Sequence, residues 1–479
     1  MKNTKTRLHQ RPGACVAGLI LLSATSAHAD TNWSDAPGLM EASGYNINEL
    51  DFFKNNNLKL GGWLETSISA NDNARHDGFN GPVTFQDRTS ELQLNQLNFF
   101  LQKAITASGD SFDWGGRFDF MYGTDSIFTQ AYGNPVANNY TGIGQPRGNW
   151  DLGLTGDRFY GIALPNAYAE FNLPMGNGLD VKVGHFYTPL GYEMVTSPDN
   201  FFVTKPYTMQ YGEPFTHTGT YGTYAFNGNW TAMAGAVTGS STGGWDGNFN
   251  RNLATWSFLG GGTWTSDDAG TSLNLTSTAG PQADNNSSFW GIYSLVGKHN
   301  ITDKLHLILQ HDHGFANNVI TGNGAISAAN QGITQANIAQ WSAASRQNAE
   351  WYGVNSYLLY DVTDKLGAGI RAEWFRDNNG FRVNGPGRCA AAGNISNNGT
   401  GTPYNYACNS NYSNYQLPIA MGYGQGSGYY ELTAGLTYKP VKWLNLRPNV
   451  RFDYANVAAF AGGYQHTQVL FTADAVVTF

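Results

Sequence analysis

Acidic and basic side chains recur in this chain at alternate positions of otherwise apolar runs. Between Phe112 and Tyr122, Arg117 and Asp119 interleave with Phe118 and Phe120; between Leu444 and Tyr454, Arg447, Arg451 and Asp453 interleave with Leu446, Val450, Phe452 and Tyr454. The same pattern places Lys59, Glu65, Glu170, Lys182, Arg371, Glu373, Glu431, Lys439 and Asp474 on one side of their segments. So many charges of both signs cannot sit in an apolar core, but they can line a wet interior, where they act on passing solutes. Covalent chemistry finds no comparable support. The chain has no Gly-x-Ser-x-Gly elbow, no His-Glu-x-x-His and no phosphate-binding Gly-rich loop. His311-Asp312-His313 has metal-ligand types, but in a strand the two histidines share one face and Asp312 takes the other. No metal, cofactor or catalytic residue is therefore expected.

The elements that position these charges have a period of two. Phe112, Trp114, Gly116, Phe118, Phe120 and Tyr122 share one face, opposite Asp113, Gly115, Arg117, Asp119 and Met121. So aromatic an outer face suits lipid better than water. The final run, Gln468 to Phe479, alternates in the same way with Asp474 in its interleaved set and an aromatic residue last. Candidate strands fall at 58–70, 91–103, 112–122, 163–173, 179–187, 218–227, 229–239, 255–265, 271–279, 288–299, 304–313, 349–362, 365–376, 429–439, 444–454 and 468–479. Short connections (300–303, 363–364, 440–443) alternate with long ones (123–160, 315–348, 377–428). The expected fold is an all-β transmembrane antiparallel barrel of about sixteen strands, 14 to 18 being acceptable, with short periplasmic turns and long extracellular loops. A bulge is expected near Asn95-Gln96, where the alternation of the second strand changes phase, and a short helix within 328–344.

Composition agrees. Of 479 residues 13% are charged and 14% aromatic, with 59 glycines. Mean hydropathy is −0.36, too polar for a bundle of membrane helices, and beyond the leader no apolar run is long enough to span as a helix. Without spanning helices, a membrane protein must close a barrel to satisfy its backbone. Residues 1–29 read as a signal peptide: Lys2, Lys5, Arg7 and Arg11 precede the apolar stretch Ala14–Ala24 and the small-residue cleavage site Ala27-His28-Ala29. Its removal leaves 23 of the 27 basic residues against 35 acidic ones, a net of −12, which disfavours nucleic acid as a partner. Residues 30–57 are then a periplasmic lead-in and 58–479 the barrel. Cys389 and Cys408 lie in one Asn/Gly/Tyr-rich loop of an exported chain and read as a disulfide, two free thiols being the alternative.

Several segments carry a family resemblance. Gly184-His185-Phe186-Tyr187-Thr188-Pro189-Leu190-Gly191-Tyr192-Glu193, Ser197-Pro198-Asp199-Asn200-Phe201-Phe202 and Tyr211-Gly212-Glu213-Pro214-Phe215-Thr216-His217-Thr218-Gly219 resemble the OmpL-like family of outer-membrane β-barrel porins. Phe118–Asp125 and Arg371–Asp377 look similar to the same family, so the resemblance runs from Leu58 to Phe479. It implies an outer-membrane porin in a Gram-negative bacterium and assigns no residue roles. The expected function is passive diffusion of small hydrophilic solutes past Arg117, Asp119, Glu170, Lys182, Arg371, Glu373, Arg447, Arg451 and Asp453. The loop 188–217 carries Phe201-Phe202-Val203, odd for a segment wholly in water. It is expected to fold inward and narrow the pore with Glu193, Asp199, Lys205 and Glu213. Expected partners are outer-membrane lipid, small hydrophilic solutes, the barrel-assembly machinery through the last strand, and further copies in a homo-oligomer. The alternative is a non-conducting barrel whose long loops bind a ligand or surface partner.

Overall fold

The computed structural model describes residues 38–73, 80–106, 109, 111–129, 160–238, 256–281, 288–333, 337–383, 425–461 and 463–479. The leader, the first part of the lead-in and both Cys389 and Cys408 lie outside them.

Sixteen strands are laid side by side: β1 (Leu58–Asn71), β2 (Gln93–Lys103), β3 (Asp113–Gly123), β4 (Gly161–Ala163 continued by Ala167–Leu173), β5 (Leu179–Tyr187), β6 (Thr216–Ala225), β7 (Trp230–Thr238) and β8 (Trp256–Thr265), then β9 (Thr271–Pro281), β10 (Phe289–Asn300), β11 (Leu305–Ile320), β12 (Arg346–Thr363), β13 (Leu366–Asp377), β14 (Ser427–Val441), β15 (Leu444–Ala455) and β16 (Thr467–Thr478). Each pairs antiparallel with its sequence neighbours, and β16 pairs with β1, Trp63 opposite Thr478 and Asn71 opposite Leu470. The sheet is therefore a closed barrel, which leaves no strand edge in the membrane. An 11-residue strand such as β2, rising ~3.3 Å per residue with a tilt of roughly 40°, climbs about 28 Å, enough for the apolar band.

The two faces separate as the alternation requires. Ile370, Leu432, Val450, Phe452 and Phe471 are exposed on the outer wall, while Arg371, Glu431, Arg451 and Asp474 are buried inside. Aromatic rings mark both rims of that wall. Tyr352 meets Trp374 at 5.4 Å and Tyr430 meets Tyr454 at 5.8 Å towards the long loops; Phe99 meets Phe479 at 5.3 Å towards the short turns. Tyr293 and His313 continue the upper row, so His311 and His313 face outward and Asp312 inward.

Irregularities have local causes. In the β1–β2 ladder Glu65 faces Gln96 and Thr66 faces Leu94, so Asn95 is the extra residue of a bulge. β4 breaks at Leu164-Pro165-Asn166 because Pro165 has no N–H to give to β3. Helices Gly322–Asn330 and Ile338–Ala344 cap the long β11–β12 excursion, starting earlier and in two pieces where one helix within 328–344 was expected. At the seam, Phe479 exchanges two backbone bonds with Gly62, each 2.9 Å. A Cβ at Gly62 would stand 2.1 Å from Asn98 O and 2.7 Å from the Phe479 ring, so only glycine lets the terminal ring lie there. Beyond Phe479 the edge is completed by Asn48 of the lead-in, whose amide gives 2.9 Å to Leu60 O and takes 2.7 Å from Leu60 N.

Candidate functional site

The segment between β5 and β6 lies inside the barrel, with Leu190, Phe202, Val203, Tyr207 and Tyr211 buried. Its apolar run explains why: Phe201, Phe202 and Tyr192 pack with Val296, Ile308, Tyr357 and Leu359 of the wall, removing from water rings that no exterior loop could cover. Apart from a single turn at Ser197–Asp199 and a wider one at Thr208–Gly212, the segment is irregular, and several of its backbone carbonyls face the wall. Those carbonyls are what the wall binds.

Arginines of β13 and β15 reach them. Arg447 gives 2.8 Å to Ser197 O, 2.6 Å to Asn200 O and 2.6 Å to Ser197 Oγ, with Asp474 against its other edge. Arg371 holds Thr204 O at 2.8 Å between Glu193 at 2.5 Å and Glu431 at 2.9 Å. Arg451, bonded to Asp453, gives 2.6 Å to Lys205 O. Carboxylates take the loop's donors: Glu373 accepts from Tyr207 N and Thr208 N, both at 2.6 Å, and Asp453 from Tyr207 Oη at 2.8 Å. Each of these guanidinium groups is thus paired with a carboxylate and bonded to the loop backbone, the condition under which buried charge is tolerated.

The expected lining residues therefore divide into two groups. Arg371, Glu373, Arg447, Arg451 and Asp453 face inward, yet Arg447 is 1% and Arg451 0% exposed, because the loop lies over them. Alternation identifies the inner face; it does not tell what covers that face. On β3 to β5 the inner face is open in part: Arg117 is 15% and Glu170 12% exposed, while Lys182 beside them is 6% and Asp119 0% exposed. Arg117 grips Asp119 at 2.6 Å, and Lys182 stands 3.7 Å from Glu170 and 4.2 Å from the Tyr168 ring.

The four loop residues are distributed along the packed segment. Glu193 belongs to the Arg371 cluster; Asp199 takes the Thr196 hydroxyl; Lys205 gives 2.7 Å to Met194 O. Burial raises the Asp199 carboxyl and lowers the Lys205 ammonium from their ordinary values. Glu213 accepts 2.6 Å from Gln310, which also gives 2.9 Å to Asp312. Burial, and after it the charge of Asp312, pushes the Glu213 carboxyl well above its usual range. Gly191, at φ +84°, backs onto this carboxylate: a Cβ there would stand 2.2 Å from Glu213 Oε2.

Two further inward segments were not singled out from sequence. Residues 80–89 after β1 contribute Val83 and Phe85, and Thr84 N donates 2.5 Å to Gln210. After β13, Asp377 accepts from Phe381, Arg382 and Val383 N–H, and the turn so formed aims Arg382 at Tyr211 O, 2.5 Å away. The signal was present as apolar pairs, Val83 with Phe85 and Phe381 with Val383, inside polar stretches. Trp290, Trp351, Phe381 and Phe460 close the cluster towards the long loops. Among the described residues no group of three or more His, Cys, Asp or Glu is placed to hold a metal. The arrangement offers solutes charge pairs, hydroxyls and rings.

Solved structures similar to this chain include three outer-membrane proteins. The outer-membrane channel DcaP of Acinetobacter baumannii is 10% identical, covering 88% of this chain and 97% of that one, with a TM-score of 0.46. The anion-selective porin from Comamonas acidovorans is 10% identical, covering 88% and 99%, at 0.47. Pseudomonas putida OprB is 11% identical, covering 89% and 96%, at 0.47. No curated protein matches the sequence. The family model described as Putative beta-barrel porin-2, OmpL-like, matches residues 57–479, the whole of the barrel. The chain belongs to that family, and is an outer-membrane porin.

Proposed function

We propose that the protein is a passive diffusion channel for small hydrophilic solutes in the outer membrane of a Gram-negative bacterium, and that its path runs past β3–β6. One observation carries this reading. The inward loop is fastened by Arg371, Arg447 and Arg451 to β13–β15, whereas Arg117, Glu170, Tyr168 and Tyr221 of the other side stay partly open. Glu193, Asp199, Lys205 and Glu213 then narrow the pore by holding the loop's shape more than by meeting solute. Transport needs no covalent step and no cofactor. In this reading the last strand is the segment that the barrel-assembly machinery receives, and the outer wall meets lipid and, in a homo-oligomer, neighbouring copies.

Single-channel recording of the purified barrel in planar bilayers tests it. Stepwise conductance growing with salt is expected; silent insertions of folded, heat-modifiable barrel would overturn it. The apolar cluster of Trp290, Trp351, Phe381 and Phe460 favours a second reading, a closed barrel whose long-loop end binds a ligand, and silent insertions would bring that reading forward.

A further inference from the structure

The open sector carries a row of side chains that alternates ring and charge across neighbouring strands. Arg117 lies 4.3 Å over the Phe100 ring and is paired in register with Tyr168; Lys182 lies 4.2 Å over Tyr168 and is paired with Tyr221, whose ring centre is 5.6 Å away. Carboxylates of Asp119, Glu170 and Asp180 are interleaved with them. Their bonding capacity is not used up. Lys182 and Glu170 are 3.7 Å apart, beyond hydrogen-bond reach. Asp180 is 5% exposed, and its Oδ1 has no partner among the described residues. The buried Asn98 Oδ1 and Tyr187 hydroxyl, in the adjoining strands, are likewise without one.

We infer that this row is a solute-binding shelf for neutral sugars, built from Arg117, Tyr168, Glu170, Asp180, Lys182 and Tyr221. The inference rests on the porin reading and names its solute class. Cations and carboxylates alternate, so no single sign of charge dominates and a strongly charged solute meets repulsion wherever it finds attraction. A hydroxyl profits from both, as donor to carboxylate and acceptor from ammonium or guanidinium, and it brings no charge to desolvate. Cross-strand neighbours stand about 4.5–5.5 Å apart, close to the spacing of ring hydroxyls separated by one carbon. Tyrosine rings supply faces for the C–H side of a pyranose together with a polar edge.

The test uses the full barrel in planar bilayers with maltose and glucose as probes, sodium gluconate and benzoate as controls. Maltose is expected to reduce ion current reversibly. The half-blocking concentration, referred to each variant's own sugar-free current, should rise at least about tenfold in Glu170→Gln and in Tyr168→Ala, the loss of one charge-assisted bond or one ring face. Conduction without sugar block, block by gluconate or benzoate in place of maltose, or unchanged block in both variants would overturn the shelf and leave the porin standing. If no current appears, the porin reading fails. Equilibrium dialysis of radiolabelled maltose against the detergent-solubilised barrel then reads the shelf by itself, and absence of binding overturns it. Glu170→Gln is nearly isosteric, so a folding failure of Tyr168→Ala does not remove the comparison.

Discussion

Replacing Arg447 by glutamine is expected to release the inward loop while leaving the barrel closed. Three of the guanidinium's contacts go to the loop, at Ser197 O, Asn200 O and Ser197 Oγ, and the rest neutralise Asp474 and, at 3.5 Å, Glu65. Charge-assisted bonds contribute about 1.5–3 kcal/mol each, and removing one member of a buried pair costs about 3–5 kcal/mol because its partner is left charged and dry. The three loop contacts are not additive, so about 3–5 kcal/mol is the working figure for docking, some two to three and a half decades in the release equilibrium. The wall survives, since its ladder bonds are backbone bonds that the substituted residue would still make. Hydrogen exchange of the amides at 196–204, read by mass spectrometry in detergent, should accelerate by that factor while β15 and β16 stay protected. Conductance should rise and fluctuate more. Arg447→Lys should fall between, keeping the charge but losing the fork that reaches two carbonyls at once. Parent-like protection of 196–204 in folded Arg447→Gln would refute the clamp, and with it the reason given for the burial of Arg371 and Arg451.

Other consequences are as open to measurement. Deleting Phe479 removes both seam bonds to Gly62 and the ring on Phe99; the barrel should reach the outer membrane in lower amount and lose heat-modifiability at a lower temperature, as band shifts in unboiled gels would show. Glu213 binds a proton in the folded loop that it would release in the unfolded chain, its folded pKa being the higher, so docking is strongest below the ordinary carboxyl range and weakens as pH rises towards the folded value. Conductance should therefore increase with pH, and Glu213→Gln should flatten that dependence. Asn48→Ala removes two bonds from Leu60; exchange at the Leu60 amide should rise by about tenfold with the remaining strands unchanged. Cys389 and Cys408 should resist thiol labelling in outer-membrane protein until reduced.

The barrel was legible because lipid on one side and polar groups on the other impose a period of two on every strand. Phe112 to Tyr122 and Leu444 to Tyr454 show that period with few interruptions. The bulge at Asn95 was legible for the same reason, as a change of phase. What covers the inner face was not. Arg447 and Ser197 are 250 positions apart, and their meeting depends on the curvature of the whole wall, which no local pattern encodes. Arg451 and Asp453 read as wet because their neighbours are apolar, yet Lys205 O and Tyr207 reach them first. The open shelf was half legible: Arg117, Asp119, Glu170 and Lys182 were marked by alternation, whereas Tyr168 and Tyr221 look like ordinary strand aromatics until register sets them beside Lys182.

The clamp on the loop has a consequence for how this pore can be altered. Its arginines grip peptide oxygens, at Ser197, Asn200, Thr204, Lys205 and Tyr211. A peptide oxygen is present whatever residue carries it, so the fastening is largely indifferent to loop sequence wherever the loop side chain itself points away from the wall. Bore and selectivity can then be changed by exchanging side chains on the loop and on the open shelf separately, without redesigning the attachment. The wall arginines have the opposite character: each serves several acceptors at once, so exchanging one disturbs loop and wall contacts together. Variation directed at this barrel should start from the loop and leave the wall as it is.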